Sequence, residues 1–183
     1  MYKILIVVDM QNDFIDGALG TAEAVAIVPR AVHRINESRG ELILFTQDTH
    51  CEDYLNTPEG RKLPVIHCVK GSRGWQIRAE IWEAWQNNPD TVRLGAPAGN
   101  IFEKPVFGSV ALVDFLKSKE REIEEIEILG LCTDICVISN AIMIKNALPN
   151  VKIAVNAEAC AATTQISHQE ALNIMEICQI DII

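Results

Sequence analysis

Two cysteines, Cys132 and Cys136, flank Thr133, Asp134 and Ile135 in the stretch GLCTDICVIS, residues 130–139. A redox C-x-x-C motif has two intervening residues; the three found here disfavour a thiol–disulfide pair. A thiol becomes a nucleophile by losing its proton. Cys136 stands where the first turn of a helix is expected, and a helix N-terminus lowers a thiol pKa; Cys132 falls at the preceding strand end, out of line with that dipole. Asp9 and Lys104 hold comparable places, at the ends of the apolar runs 3–9 and 100–105. An ammonium beside Cys136 would stabilise the thiolate and keep a neighbouring carboxylate ionised. That carboxylate could take the thiol proton and return it to a leaving group, while amides at the helix start receive an oxyanion. Each residue has an ordinary explanation alone: a cap, a solvated lysine, a core thiol. Together they form a coherent set for acyl transfer.

A second set follows the second apolar run. In TQDTHCEDY, Asp48 and His50 are two apart, so in extended chain both side chains point the same way. His67 comes later, in PVIHCVKGSRG. One carboxylate and two imidazoles suit Zn²⁺, Mn²⁺ or Fe²⁺, with positions left for water or substrate. Alone, the pattern is an ordinary accident of loops; its weight comes from falling on the same strand ends as the cysteine set. His33 and His168 lack such neighbours and read as structural or surface residues.

What must position these residues is an alternation of apolar runs and helix-period stretches. KILIVVD (3–9) reads as a strand buried on both faces, and ELILFTQD (41–48) as a second. Residues 27–40 read as a helix with Pro29 near its start and Gly40 after its end. Residues 49–74 read as loop, and 75–88, with three tryptophans, as partly helical. Further strands are expected at 100–105, in 122–131, at 151–157 and at 179–183, with helices at 110–119, at 134–150 (ended by Pro149) and at 167–178. Six strands with helical crossovers predict a single α/β domain over 1–183, a doubly wound, mainly parallel sheet with helices on both faces. In such sheets the site lies beyond the carboxyl ends of the strands. The turn after the first strand, DMQNDFIDG, has neither a dinucleotide nor a P-loop pattern.

The bulk numbers agree with a small-molecule enzyme. The 183 residues are 49% hydrophobic and 22% charged, an ordinary globular composition. A net charge of −9 leaves no basic stripe for nucleic acid. No apolar run approaches the ~20 residues that span a bilayer, so no membrane association is expected. The start, MYKILIVVDMQNDF, lacks a signal-peptide pattern, and the six scattered cysteines read as reduced thiols, so the expected location is cytoplasmic. Assembly into a homo-oligomer is left open.

VVDMQNDF, the DTH with a later HCVKGSRG, EKPVFGS and GLCTDICV occur in order. With these the chain resembles the isochorismatase-like cysteine hydrolases, in their nicotinamidase/pyrazinamidase branch, over essentially its whole length. The resemblance implies an α/β/α sandwich and hydrolysis of a small amide, nicotinamide foremost, through a cysteinyl thioester. It implies Asp9, Lys104 and Cys136 as the triad, and Asp48, His50 and His67 as ligands of one divalent metal ion that holds the pyridine nitrogen. It further implies a cis peptide between Leu131 and Cys132, an oxyanion hole from the backbone N–H groups of Cys132 and Cys136, and Phe14 packed on the ring. Glu59 is a candidate fourth ligand, one residue out of the usual spacing. One departure stands out: the family's tryptophan in a W-P-P-H run is replaced by LPVIH, and Trp75 is the residue expected to fill the gap. The ligand set favours nicotinamide. The missing tryptophan favours another small amide or a carbamoyl substrate, and a catalytically silent binding protein is the third reading.

Overall fold

A computed structural model describes residues 1–88, 97 and 100–183. The β-branched run at the start forms β1 (Tyr2–Val8), in which Ile4, Leu5, Ile6, Val7 and Val8 are all buried. β2 (Leu42–Asp48) is buried at every position, as a strand covered on both faces must be. With β3 (Ile101–Lys104), β4 (Ile123–Leu131), β5 (Lys152–Ala161) and β6 (Asp181–Ile182) they make, among the described residues, one six-stranded sheet in the order β3-β2-β1-β4-β5-β6. Every pairing is parallel, so the expected mainly parallel sheet is wholly parallel.

Helices flank the sheet: α1 (Asn12–Ile15), α2 (Ala22–Glu37), α3 (Pro58–Lys62), α4 (Ala79–Gln86), α5 (Val110–Ser118), α6 (Ile138–Ala147) and α7 (Gln165–Ile177). α2 packs on α4, while α5 and α7 each pack on α6. No helix among the described residues is long and apolar enough to cross a membrane. The chain leaves β1 toward β2 and β3, then returns to build β4, β5 and β6 on the other side. The order therefore reverses between β1 and β4, and the crevice beyond their carboxyl ends is where a ligand site is expected.

Several boundaries differ from the sequence expectation. α2 begins at Ala22, where the Thr21 hydroxyl accepts the Ala24 N–H at 3.0 Å. Pro29 therefore lies inside the helix, and the carbonyl it leaves unpaired is that of Val25, an exposed residue. The loop 49–74 contains α3, started by Thr57 accepting the Gly60 N–H, with Pro58 in its first turn. β5 runs on to Ala161 because its pairing with β4 shifts register after Ile128 and resumes at Gly130 and Cys160. β6 is only two residues long. The helix expected at 134–150 opens instead with a π-type turn, Thr133–Val137, before α6 begins.

Gly130 lets the end of β4 lie close against β1. It pairs with Val8 and has φ +123, and a Cβ there would collide with the Val8 carbonyl oxygen. Its bare backbone brings the end of β4 against the end of β1, one residue from Asp9 and from Leu131.

Candidate active site

Asp9 follows β1 in the left-handed region, φ +46, and is fully buried. Its Oδ1 accepts the Thr46 hydroxyl at 2.7 Å. Lys104 ends β3, two strands away, and is 1% exposed. Its Nζ crosses the end of β2 to lie 2.6 Å from Asp9 Oδ2, 3.3 Å from Asp48 Oδ1 and 3.5 Å from Cys136 Sγ. One buried ammonium therefore touches both groups of residues singled out in the sequence. Burial works against that charge, but Asp9, Cys136 and Asp48 outweigh it and push the Lys104 pKa up. Burial raises the Asp9 carboxyl, with Lys104 pulling the other way. The Lys104 contact to Oδ2 is an ion pair off hydrogen-bond geometry, so Oδ2 keeps its capacity to accept a proton.

Cys136 lies in the π-type turn after β4, where the Cys132 carbonyl accepts both the Ile135 and the Val137 N–H at 3.0 Å. The peptide between Leu131 and Cys132 is cis. The thiol corrects the sequence expectation of a depressed pKa. Burial comes first and Asp9 adds to it, so the thiol is pushed up although Lys104 pulls down. Burial and Asp9 thus favour the thiol over the thiolate, and the Asp9 carboxyl stands in the same buried cluster as a proton acceptor. Cys132 is also pushed up to about 12, by burial and then by Asp134.

Asp48, His50 and His67 are buried together, with one ligand atom from each within 4.8 Å of the others. Asp48 Oδ2 lies 2.8 Å from His50 Nε2 and 3.6 Å from His67 Nε2. The Val65 carbonyl accepts His67 Nδ1–H at 2.8 Å, which leaves the lone pair on Nε2. His50 Nε2 has no hydrogen-bond partner, because the short approach to Asp48 is out of hydrogen-bond geometry. Burial opposes a proton on His50, yet Asp48 raises its pKa; burial likewise opposes charge on Asp48, yet His50 and Lys104 hold that carboxyl low. The cluster thus favours a positive charge among a carboxylate and two imidazole nitrogens. These residues fit a divalent metal ion. Glu59 Oε1 is 4.0 Å from His50 Nε2, but Glu59 is outside the group whose ligand atoms all lie within 4.8 Å of one another.

A pocket of about 190 Å³ is lined by members of both groups, Asp48 and His67 together with Cys136, and by Glu59 and Cys132. Phe14 lines it, its ring centroid 5.5 Å from that of His67. Trp75 does not line it, which corrects the expectation that it replaces the missing tryptophan. Its indole N–H donates to Thr49 Oγ1 at 2.9 Å, and its carbonyl accepts from Gln11 and Gln47 at 2.8 Å. These bonds hold it in a separate hollow with Trp82 and Ile77. Leu19, Leu63, Phe107 and Ile135 supply the apolar wall instead. Phe107 lies within the quoted EKPVFGS stretch, and an aromatic residue three positions after Lys104 is the signal the sequence offers for it.

The QND that follows Met10 serves the backbone of the second group, a role no spacing pattern signals. Gln11 Oε1 accepts the Asp48 N–H at 2.7 Å, and its Nε2 donates to the Asp48 carbonyl at 2.9 Å. Asn12 donates to the Arg73 carbonyl at 2.8 Å, and Asp13 accepts the Cys68 N–H at 2.8 Å, next to His67. One short segment thus carries the Asp9 carboxyl and fixes the backbone under two members of the metal-fitting cluster.

Comparison with known proteins agrees with this geometry. The family model described as the isochorismatase domain matches residues 3–183. An uncharacterized isochorismatase family protein, PncA, of Bacillus subtilis (strain 168) is 30% identical over 179 residues, which are 94% of this chain and 93% of that protein. The crystal structure of nicotinamidase/pyrazinamidase PncA from Bacillus subtilis superposes with a TM-score of 0.81 at 28% identity, covering 100% of this chain and 99% of that one. The pyrazinamidase of Pyrococcus horikoshii in complex with zinc shares the fold, with a TM-score of 0.79 at 24% identity, covering 100% of this chain and 99% of that one.

Proposed function

The chain belongs to the isochorismatase family, and from that membership and the site geometry we propose that it is a nicotinamidase-like amidohydrolase, converting nicotinamide and water to nicotinate and ammonia. The observation that carries this reading is the triple contact of Lys104 with Asp9, Asp48 and Cys136, which ties a nucleophile and its base to a metal-fitting cluster across one small pocket.

In this reading the carboxamide carbon sits against Cys136 Sγ. The thiol proton passes to Asp9 Oδ2 as sulfur attacks, because burial disfavours a free thiolate and the raised Asp9 carboxyl is the better acceptor. The carbonyl oxygen becomes an oxyanion received by the backbone N–H groups of Cys132 and Cys136. Collapse breaks the C–N bond, and Asp9 returns the proton to the departing nitrogen, leaving ammonia and a Cys136 thioester. A water molecule then attacks the thioester carbon, Asp9 takes its proton, and the acid leaves as the thiol re-forms. Lys104 keeps positive charge beside Asp9 and sulfur throughout.

Asp48, His50 and His67 would hold the divalent ion, with Glu59, 4.0 Å from His50, as a candidate fourth ligand, and the bound ion would offer a Lewis-acidic partner for a ring nitrogen. Phe14, Leu63 and Phe107 pack on the ring and exclude water. Zinc, manganese and iron all suit this donor set. The substrate partner is a small molecule, which a pocket of about 190 Å³ suits.

The aliphatic Leu63 in the wall favours a second reading, in which the same cysteine chemistry serves another small amide or a carbamoyl compound. Ammonia release from nicotinamide, pyrazinamide and simple aliphatic and carbamoyl amides separates the two. Turnover of the first pair supports the nicotinamidase reading, and turnover of only the others supports the second.

A further inference from the structure

The turn that carries Cys136 is held from two directions, and only one of them is accounted for by the chemistry above. On the far side, Thr133 Oγ1 lies 2.9 Å from His168 Nδ1. Next to it, Asp134 Oδ2 accepts the Thr163 hydroxyl at 2.6 Å, and the Thr163 N–H lies 3.4 Å from both carboxylate oxygens. Thr133 is fully buried, so its hydroxyl has no water to fall back on. His168 is in the first turn of α7, where Thr164 and Ser167 cap each other's backbone groups and fix the helix start. The histidine is thus mounted on a rigid element, although its sequence neighbours gave it no role.

This support matters because of the turn's geometry. In Thr133–Val137 the Val137 N–H bonds back to Cys132, five residues away, and the wider ring packs its own backbone less well than an α-helical turn. The placement of Sγ and of the turn's amides then depends on what the side chains of Thr133 and Asp134 are tied to. Cys136 must meet Lys104 at 3.5 Å on the opposite side.

We propose that His168 is a positioning residue for the reaction, anchoring Thr133 so that Cys136 and the amides of its turn stay in register with Asp9 and Lys104. The proposal rests on the amide-hydrolysis reading. Burial lowers the His168 pKa, with Asp134 opposing, so the ring is neutral near neutral pH, and one ring nitrogen is free to act as acceptor for the threonine hydroxyl. Misplacing a reacting group by ~1 Å costs on the order of a hundredfold in rate, so partial release of the turn should be easily read.

The test is the set His168→Leu, His168→Asn and His168→Gln. An asparagine amide places a polar atom where Nδ1 sits, whereas glutamine reaches toward Nε2. The leucine variant should lose about tenfold or more in kcat, with KM and bound metal unchanged, the asparagine variant should recover most of the loss, and the glutamine variant should not. The rate of Cys136 alkylation by iodoacetamide, followed by mass spectrometry of its peptide, should show the same order. Thr133→Val should match His168→Leu, and the double variant should be no worse than either. Alkylation needs no substrate, so it decides the proposal even if the wild-type protein hydrolyses none of the amides, a result that would sink the functional reading alone. Should the leucine variant fail to fold, the asparagine–glutamine contrast carries the test. Unchanged kcat and alkylation in the leucine variant, equal behaviour of asparagine and glutamine, or an effect confined to the thermal midpoint would overturn it.

Discussion

Gln11 grips Asp48 by both ends of its backbone, accepting its N–H at 2.7 Å and donating to its carbonyl at 2.9 Å. The Asp48 carboxylate is thereby held by a residue that never touches it. Gln11 is fully buried, so removing its amide leaves two backbone groups without partners. Gln11→Ala should weaken divalent-metal binding by about ten- to a hundredfold, the usual cost of losing an outer support, and should lower the thermal midpoint of the metal-free protein. Titration of the apoprotein with Zn²⁺ or Mn²⁺ measures this, and unchanged affinity would mean that Asp48 holds its place without Gln11.

The two cysteines should separate cleanly. Cys136→Ala should abolish turnover while metal and substrate still bind, since Asp48, His50, His67 and Phe14 are untouched. Cys132→Ala should keep activity within about tenfold, because its proposed contribution is a backbone N–H that alanine also has. Steady-state kinetics with calorimetric binding distinguishes them, and an inactive Cys132→Ala beside an active Cys136→Ala would reverse the assignment.

A Cys136 thiol pushed up by burial has its own signature. Its pKa is raised well above 9.0 by burial and by Asp9. A raised acid is populated as thiol below its pKa, so the reactive anion grows as pH rises. Alkylation of Cys136 in the substrate-free enzyme should therefore climb steadily from about pH 6 to pH 9 with no plateau. A plateau near neutrality would show a preformed thiolate and contradict the coupled proton transfer to Asp9.

How far the sequence revealed the site depended on what each residue touches. Asp9, Lys104 and Cys136 could be placed because strand ends converge in a doubly wound sheet, and Asp48 and His50 because extended chain sends them the same way. Gln11 and His168 could not. Gln11 bonds to backbone at position 48 and His168 to a hydroxyl at position 133, and neither contact leaves a spacing pattern. Trp75 was assigned to the pocket by chemical type, but its Thr49 and glutamine hydrogen bonds hold it elsewhere. The Cys136 thiol was expected to be acidic from its place at a helix start, where burial turns out to dominate.

Gly130 tests the fold's hold on the site. With φ +123 and the Val8 carbonyl where a Cβ would go, Gly130→Ala must distort the ends of β1 and β4. The expected loss is about 2–4 kcal/mol of stability, with activity falling further than the folded fraction because Asp9 follows Val8 directly and is carried by the distorted end of β1. Urea unfolding alongside activity measures both. A variant as stable and active as the parent would show that the close approach is dispensable.

The central claim is that one pocket joins cysteine chemistry to a metal that holds a ring nitrogen. It is tested most directly by kcat/KM of the metal-loaded enzyme for nicotinamide against benzamide. Benzamide has the same shape and scissile amide but no ring lone pair. The claim predicts a preference for nicotinamide of roughly a thousandfold, about 4 kcal/mol of transition-state stabilisation. Equal turnover of the two amides would contradict it.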